Sequence, residues 1–299
     1  MSIIIVSDTH LGYERSSHVI FEKFLDMLKD KEDLTDLVIL GDFVDMWRRD
    51  VSGIFLEFSS IVNKILKLKE KIKVHCIAGN HDYHLLQLTS YGGFRDYHLQ
   101  FCTDREISVD GITYRFMHGY EFDEMQTAPL MELLCYTMSD SVGDLRSGFW
   151  NRLTSITADV KLLENFFTLH KHDEQSSLFT KLKSLGKFTI TDVENIMTDP
   201  SKRDWQVNQV EMAALKQRNE KFPDRTLVFG HTHVPFFDSN DRIVNSGSWV
   251  SNDNKIPFNT FIEIKEGEIQ LKQVIANNDN QITSIADITH DYTRKVGSA

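Results

Sequence analysis

Ile39-Leu40-Gly41-Asp42-Phe43-Val44-Asp45 is the stretch that decides how this chain is read. The apolar run Leu37 to Leu40 has the make-up of a buried strand. It stops at a glycine, and the next residue is a carboxylate. Open α/β sheets bind ligands beyond the carboxyl ends of their strands. A single aspartate at such a place serves equally well as a turn residue. The meaning comes from recurrence: the pattern returns after four other strands, each time ending in Asp, Asn or His.

Upstream, Ile3 to Val6 is a β-branched run that ends in Ser7-Asp8-Thr9-His10-Leu11-Gly12. Asp8 and His10 are two residues apart, so in extended backbone both point the same way and reach one ion. Phe21, Phe24, Leu25 and Leu28 carry helical spacing, as do Ile54, Phe55, Phe58, Ile61, Ile65 and Leu68. Val74 to Ala78 reads as the next strand and ends in Gly79-Asn80-His81-Asp82. The order is β-α-β-α-β, which implies a parallel sheet with right-handed crossovers. Ile107 to Val109 and Thr113 to Met117 flank Asp110-Gly111, a hairpin signal, and the second run ends in His118-Gly119.

From Tyr120 to about Asp224 strand signals vanish and helical patterns take over: Leu130 to Met138, Phe149 to Phe167, Leu178 to Leu185 and Trp205 to Phe222. Thr191-Asp192-Val193-Glu194 fits a capping box. This is a helical insertion between two strands, expected to act as a lid or substrate pocket. Strands resume at Thr226 to Phe229, which ends in Gly230-His231-Thr232-His233, and at Ile243-Val244, which leads into Asn245-Ser246-Gly247-Ser248-Trp249. Thr260 to Ile264 and Glu268 to Val274 form a last hairpin around Glu266-Gly267. The division expected is a core over 1–119 and 226–275, an insertion over 120–225, and a loose polar tail over 276–299.

Composition narrows the function classes. The 299 residues carry a net charge of -11, from 33 Lys and Arg against 44 Asp and Glu. That balance argues against a nucleic-acid partner, which usually meets a basic face. Three widely spaced cysteines, Cys76, Cys102 and Cys135, without a CxxC, suggest reduced thiols and a cytoplasmic protein. No signal segment or membrane-spanning run is read. Peripheral membrane contact through the insertion stays open, as does the oligomeric state.

Collected, the strand ends offer Asp8, His10, Asp42, Asn80, His118, His231 and His233. These are oxygen and imidazole donors, with no thiolate among them. The set suits Mn²⁺ best, with Fe or Zn²⁺ also compatible. Seven donors are too many for one ion with an open position and about right for two. Asp42, alone on its strand, is the natural bridge.

In this order, D-x-H, G-D-x-x-D, G-N-H-D, H-G and G-H-T-H resemble the calcineurin-like metallophosphoesterases over positions 3–119 and 226–275. The resemblance implies an α/β fold, a four-layer α-β-β-α sandwich with the metals at one edge. It implies Asp8, His10, Asp42 and His233 on one metal, and Asp42, Asn80, His118 and His231 on the other. It implies His81 as the catalytic residue facing substrate, with Asp82 or Asp45 supporting the site. Two divalent ions would lower the pKa of a shared water and aim it in line at phosphorus. They would also give an acidic protein the local positive charge that attracts a small phosphoester substrate.

Two finer resemblances compete. Ser7-Asp8-Thr9-His10-Leu11-Gly12-Tyr13 is similar to the opening of DNA exonucleases of this superfamily. Gly41-Asp42-Phe43-Val44-Asp45-Met46-Trp47, the insertion after His118-Gly119, and Val244-Asn245-Ser246-Gly247-Ser248-Trp249 are similar to UDP-2,3-diacylglucosamine pyrophosphatases. The best-known branch of that family has Arg where this chain has His81. Its cysteine-bearing motif after H-G is replaced here by Tyr120-Glu121-Phe122-Asp123. Arg48, Arg49, Arg146 and Arg152 are candidate phosphate clamps, since guanidinium binds phosphate bidentately. Phe149, Trp150, Phe166 and Phe167 are candidates to line an apolar pocket. A non-catalytic scaffold on the same fold is the third reading, and the intact donor set opposes it.

Overall fold

The computed structural model describes residues 1–90, 99–122, 200–252 and 256–296. Within that range two sheets stack face to face. The first takes β1 (Ser2–Val6), β2 (Leu34–Leu40), β3 (Lys73–Ile77) and β4 (Phe101–Cys102) as a parallel set. The second takes β5 (Asp104–Val109), β6 (Ile112–Met117), β7 (Arg225–Phe229), β8 (Phe236–Asp238) and β9 (Ile243–Asn245). The chain then returns to the first sheet with β10 (Thr260–Lys265), β11 (Glu268–Ala276) and β12 (Ile282–Asp287). The orders are β12-β11-β10-β1-β2-β3-β4 and β5-β6-β7-β9-β8. The two expected hairpins form, and Asp110-Gly111 and Glu266-Gly267 all carry positive φ.

The continuous apolar runs are explained by burial on both strand faces. In β1, Ile4 and Val6 face the helices α1 (His18–Lys29), α2 (Val51–Glu57) and α3 (Ser59–Lys69), while Ile3 and Ile5 face the second sheet. In β2, Leu37 and Ile39 face the helices while Val38 and Leu40 meet Phe116, Val228 and Val244 of the opposite sheet. Leu227 and Phe229 turn outward to Val210 and Ala214 of α4 (Pro200–Lys221). The layers are therefore helix, sheet, sheet, helix. No helix among the described residues is long and apolar enough to cross a membrane.

Three expectations change. The helical pattern from Ile54 to Leu68 is two helices, broken at Phe58, whose backbone leaves the helical region while its side chain stays buried. The apolar period runs through the break, so periodicity alone could not find it. The helix over Trp205 to Phe222, assigned to the insertion, is α4, the fourth layer of the core. The remainder of the expected insertion, 123–199, lies outside the described residues, and with it the capping box, Cys135, Arg146, Arg152 and the aromatic residues from Phe149 to Phe167.

The third change concerns the tail. Residues 276–299 are not loose where described. β12 pairs antiparallel with β11, Ile288 is buried between the sheets, and Thr293 bridges Phe237 at the edge of the second sheet. Arg294 then reaches Glu211 of α4 at 2.5 Å, and Val296 packs in the outer core. The segment fastens both sheets and the outer helix together. It reads as polar because β12 is an edge strand with one wet face.

Burial raises the pKa of Glu211, and the Arg294 guanidinium opposes that shift. Arg294→Met should therefore cost about 1–3 kcal/mol of stability in urea denaturation, by stranding a buried carboxyl. Adding Glu211→Gln should recover most of the loss, and strictly additive effects would show that the pair is not coupled.

Candidate metal centre

Five parallel strands, β1, β2, β3, β6 and β7, end at one edge of the sandwich, and the turn after each carries candidate ligands. The turns bind one another beyond the last ladder bonds. Asp8 N donates to Gly41 O at 3.0 Å, His10 N to Asp42 O at 2.9 Å, and Gly230 N to His118 O at 2.8 Å. Close approach needs glycine at two places. A Cβ on Gly79 would lie 2.1 Å from Asp42 Oδ1, and one on Gly41, at φ +84°, would lie 2.3 Å from His118 Nδ1.

The backbone corrects one inference drawn from spacing. Asp8 and His10 converge, but not because the chain is extended. Both have positive φ, as do Asp42, His231 and His233. Such left-handed residues cost roughly 1–3 kcal/mol each and persist only where surrounding bonds over-determine them. Here those bonds are visible. Trp249 N donates to Asp8 O at 3.1 Å, and Thr9 Oγ1 donates to Phe43 O at 2.7 Å. Asn245 Nδ2 donates to Gly230 O at 2.7 Å and to Thr232 Oγ1 at 3.1 Å, bracing the turn that carries both histidines.

The donor atoms meet in a buried cluster. Asp42 Oδ2 lies 3.4 Å from His10 Nε2 and 3.3 Å from His118 Nε2. Asp8 Oδ1 lies 3.2 Å from His233 Nε2, 3.8 Å from His10 Nε2 and 3.9 Å from His118 Nε2. The His231 and His118 rings are 5.3 Å apart. Tautomers are set from behind. His118 Nδ1 donates to Leu40 O at 2.8 Å and His10 Nδ1 donates to Asp45 Oδ2 at 3.0 Å, so both Nε2 atoms face the cluster and offer a lone pair to a cation once their protons leave. Asp8 Oδ1, Asn80 Oδ1, His118 Nε2 and His231 Nδ1 are buried with no hydrogen-bond partner. Buried polar atoms without partners are rare, and four candidate ligand atoms in that condition fit a cation site.

The charges agree. Burial would lower His10, but Asp45, Asp8 and Asp42 hold its pKa up at about 10. Burial would lower His118 too, and Asp42 with Asp8 brings it to about 10. Burial raises Asp8 and Asp42, yet the surrounding histidines pull both below the ordinary carboxylate range. Burial pushes His231 down to about 3, with the His118 charge adding to the shift. In the ion-free protein, protons on His10 and His118 thus answer the carboxylates, as a cation would.

The other expected site residues divide. His81 donates its backbone N–H to Asp42 Oδ1 at 2.8 Å, and its Nδ1 meets Asp45 Oδ1 at 3.0 Å. Asp45 therefore holds two imidazoles, His10 and His81, one on each oxygen. Arg48 also pairs with Asp45, and its guanidinium lies over the Tyr13 ring at 4.4 Å. Arg49 is committed to Glu57. Asp82 has its carboxylate turned to backbone: it accepts from Gly79 N at 2.7 Å and Phe43 N at 2.7 Å, tying the turn after β3 to the turn after β2. Burial and the nearby Asp42 raise its pKa to about 7. Sequence reading gave no role to Trp47 or Tyr120. Yet Trp47 stacks on His81 at 4.1 Å and Tyr120 lies 6.1 Å from His118. Their adjacency to G-D-x-x-D and H-G was the one available signal.

Divalent ions must displace protons from His10 and His118. Affinity for Mn²⁺ should therefore rise as pH rises toward 10 and fall about tenfold per unit for each proton displaced as pH drops. Titration calorimetry in buffers of different ionisation enthalpy measures the released protons. Asp42→Asn should abolish tight binding there, and retained affinity would remove Asp42 from the centre.

The calcineurin-like phosphoesterase family profile matches residues 1–235. A predicted phosphoesterase from Streptococcus pneumoniae TIGR4 is similar at 14% identity, over 96% of this chain and 97% of that chain, with a TM-score of 0.34. An archaeal phosphodiesterase is similar at 14% identity over 91% and 98%, with a TM-score of 0.40. A dimetal phosphatase from Danio rerio is similar at 11% identity over 91% and 95%, with a TM-score of 0.42. No curated protein sequence matches the chain. With its profile spanning more than half of the sequence, the chain belongs to the calcineurin-like phosphoesterase family.

Proposed function

We propose that this protein is a dinuclear metal-dependent phosphoesterase that hydrolyses a phosphodiester, pyrophosphate or phosphomonoester bond in a small or nucleotide-linked substrate. One observation carries the reading: Asp8 Oδ1, Asn80 Oδ1, His118 Nε2 and His231 Nδ1 are buried without partners at the edge where the turns after β1, β2, β6 and β7 bind one another. Asp8, His10, Asp42 and His233 would hold one ion. Asp42, Asn80, His118 and His231 would hold the second, with Asp42 shared. Mn²⁺ suits the donor set best. Such ions supply Lewis-acid charge to phosphate oxygens and bring the pKa of bound water toward neutrality.

The remaining chemistry belongs to the chain. His81 gives its Nδ1–H to Asp45, so Nε2 is the atom that delivers a proton to the leaving oxygen. Asp45 stabilises the charged imidazole and keeps its tautomer. Positioned proton transfer is worth about 10²–10⁴-fold in rate. Arg48, held by Asp45 and Tyr13 beside the site, is an arginine placed to meet a phosphate oxygen.

The layout favours the resemblance to UDP-2,3-diacylglucosamine pyrophosphatases among finer assignments, on G-D-F-V-D-M-W and N-S-G-S-W. The opening from Ser7 to Tyr13 favours a DNA exonuclease, which the net charge of -11 opposes. We place the protein in the cytoplasm on its cysteine usage.

Protein reconstituted with Mn²⁺ should hydrolyse bis-p-nitrophenyl phosphate or a nucleotide diphosphate ester. Inertness across monoesters, diesters, pyrophosphates and DNA would sink the proposal. His81→Ala should keep both ions and lose about 10²–10⁴-fold in rate on alkyl esters, with a smaller loss on p-nitrophenyl esters, whose leaving group needs little protonation. Equal losses would make His81 a phosphoryl-positioning group instead.

A further inference from the structure

Beside the centre stands a small aromatic cluster of Trp47, Tyr83 and Tyr120, separate from the three apolar cores. It touches the site at both ends. Trp47 stacks on His81 with centroids 4.1 Å apart and planes at 22°, and Tyr120 lies 6.1 Å from the His118 ring. Tyr83 meets Tyr120 edge to face at 6.1 Å. The Trp47 indole N–H is buried and has no hydrogen-bond partner. A core aromatic usually satisfies that donor when it is buried.

We infer that Trp47, Tyr83 and Tyr120 form a leaving-group subsite for phosphoesters whose leaving group carries a planar aromatic ring with a hydrogen-bond acceptor, such as a heteroaryl or substituted aryl group. The inference rests on the phosphoesterase reading and deepens it. If His81 protonates the leaving oxygen, the rest of the leaving group lies on the His81 side of phosphorus. Against His81 stands the indole, and the phenol rings of Tyr120 and Tyr83 continue the cluster from it. A planar ring gains edge-to-face or offset contact with such a wall, and an acceptor on it meets the unpartnered indole N–H. An alkyl group gains less of the first and nothing of the second. Trp47 also stacks on the His81 ring, so Tyr83, whose ring meets Tyr120 instead, is the cleaner probe.

The full chain, loaded with Mn²⁺, is assayed on two phosphodiesters of matched leaving-group acidity, one aryl and one fluoroalkyl. Trp47→Leu and Tyr83→Leu should each lower the aryl-to-fluoroalkyl ratio of kcat/KM by roughly three- to tenfold. An unchanged ratio in both variants overturns the subsite, as does a ratio that moves in neither while Trp47→Leu alone slows both esters. Calorimetry supplies a readout without turnover. Wild-type protein should bind phenylphosphonate more tightly than methylphosphonate by a similar factor, and Tyr83→Leu should shrink that preference. Absence of any preference overturns the inference. Preference for phenylphosphonate with neither ester cleaved would uphold the subsite and fail the phosphoesterase reading instead.

Discussion

Asp8 and Asp42 are fully buried carboxylates that point into one space, and an uncompensated pair of that kind is costly in a low-dielectric interior. Something positive must answer them. In the ion-free protein the answer is protons on His10 and His118, and the remaining donors, Asn80 Oδ1 and His231 Nδ1, stay without partners. This charge imbalance, enclosed at one edge of the sandwich, is what the rest of the architecture serves to hold in place.

Holding it takes backbone. Five candidate ligands sit in left-handed conformations that an isolated turn would not keep. The turns keep them by binding one another: the β1 turn to the β2 turn, the β6 turn to the β7 turn, and the β1 turn to Trp249. Asp82 and Asn245 spend their side chains on backbone amides and carbonyls of these turns. Asp45 does the same for imidazoles, orienting the His10 ring through one oxygen and the His81 ring through the other. Preorganisation of this kind leaves little to be rearranged when charge enters the site. It also explains the glycines: Gly79 and Gly41 are places where any Cβ would collide with Asp42 or His118.

The outer layers complete the frame. α4 covers the second sheet, and the segment after β12 runs from the first sheet to the second and then to α4 through Arg294 and Glu211. The described chain resumes at α4, which packs on the same sheet that carries His118 and His231 in the turns after its strands. The aromatic group of Trp47, Tyr83 and Tyr120 adjoins His81 and His118, and the proposed role in selecting the leaving group follows from that position.

Most strands, the parallel character of β1, β2 and β3, and the donor residues that follow β1, β2, β3, β6 and β7 were legible in the sequence, because both-face burial writes apolar runs and these five lead directly into a glycine or a polar donor; β4, β8 and β12 were not. Those are local consequences of chain chemistry. Left unreadable were features that depend on segments far apart along the chain. The left-handed turns at Asp8 and His10 need Gly41, Phe43 and Trp249 to hold them. The double use of Asp45 needs His10 and His81 on either side. The edge strand β12 needs β11 to give a polar stretch its backbone bonds, and α4 needs β7 to make it core rather than insertion. Residue types alone determined which donors this protein owns; only tertiary packing decided where each lone pair points, since pairings across two hundred residues leave no periodicity to read.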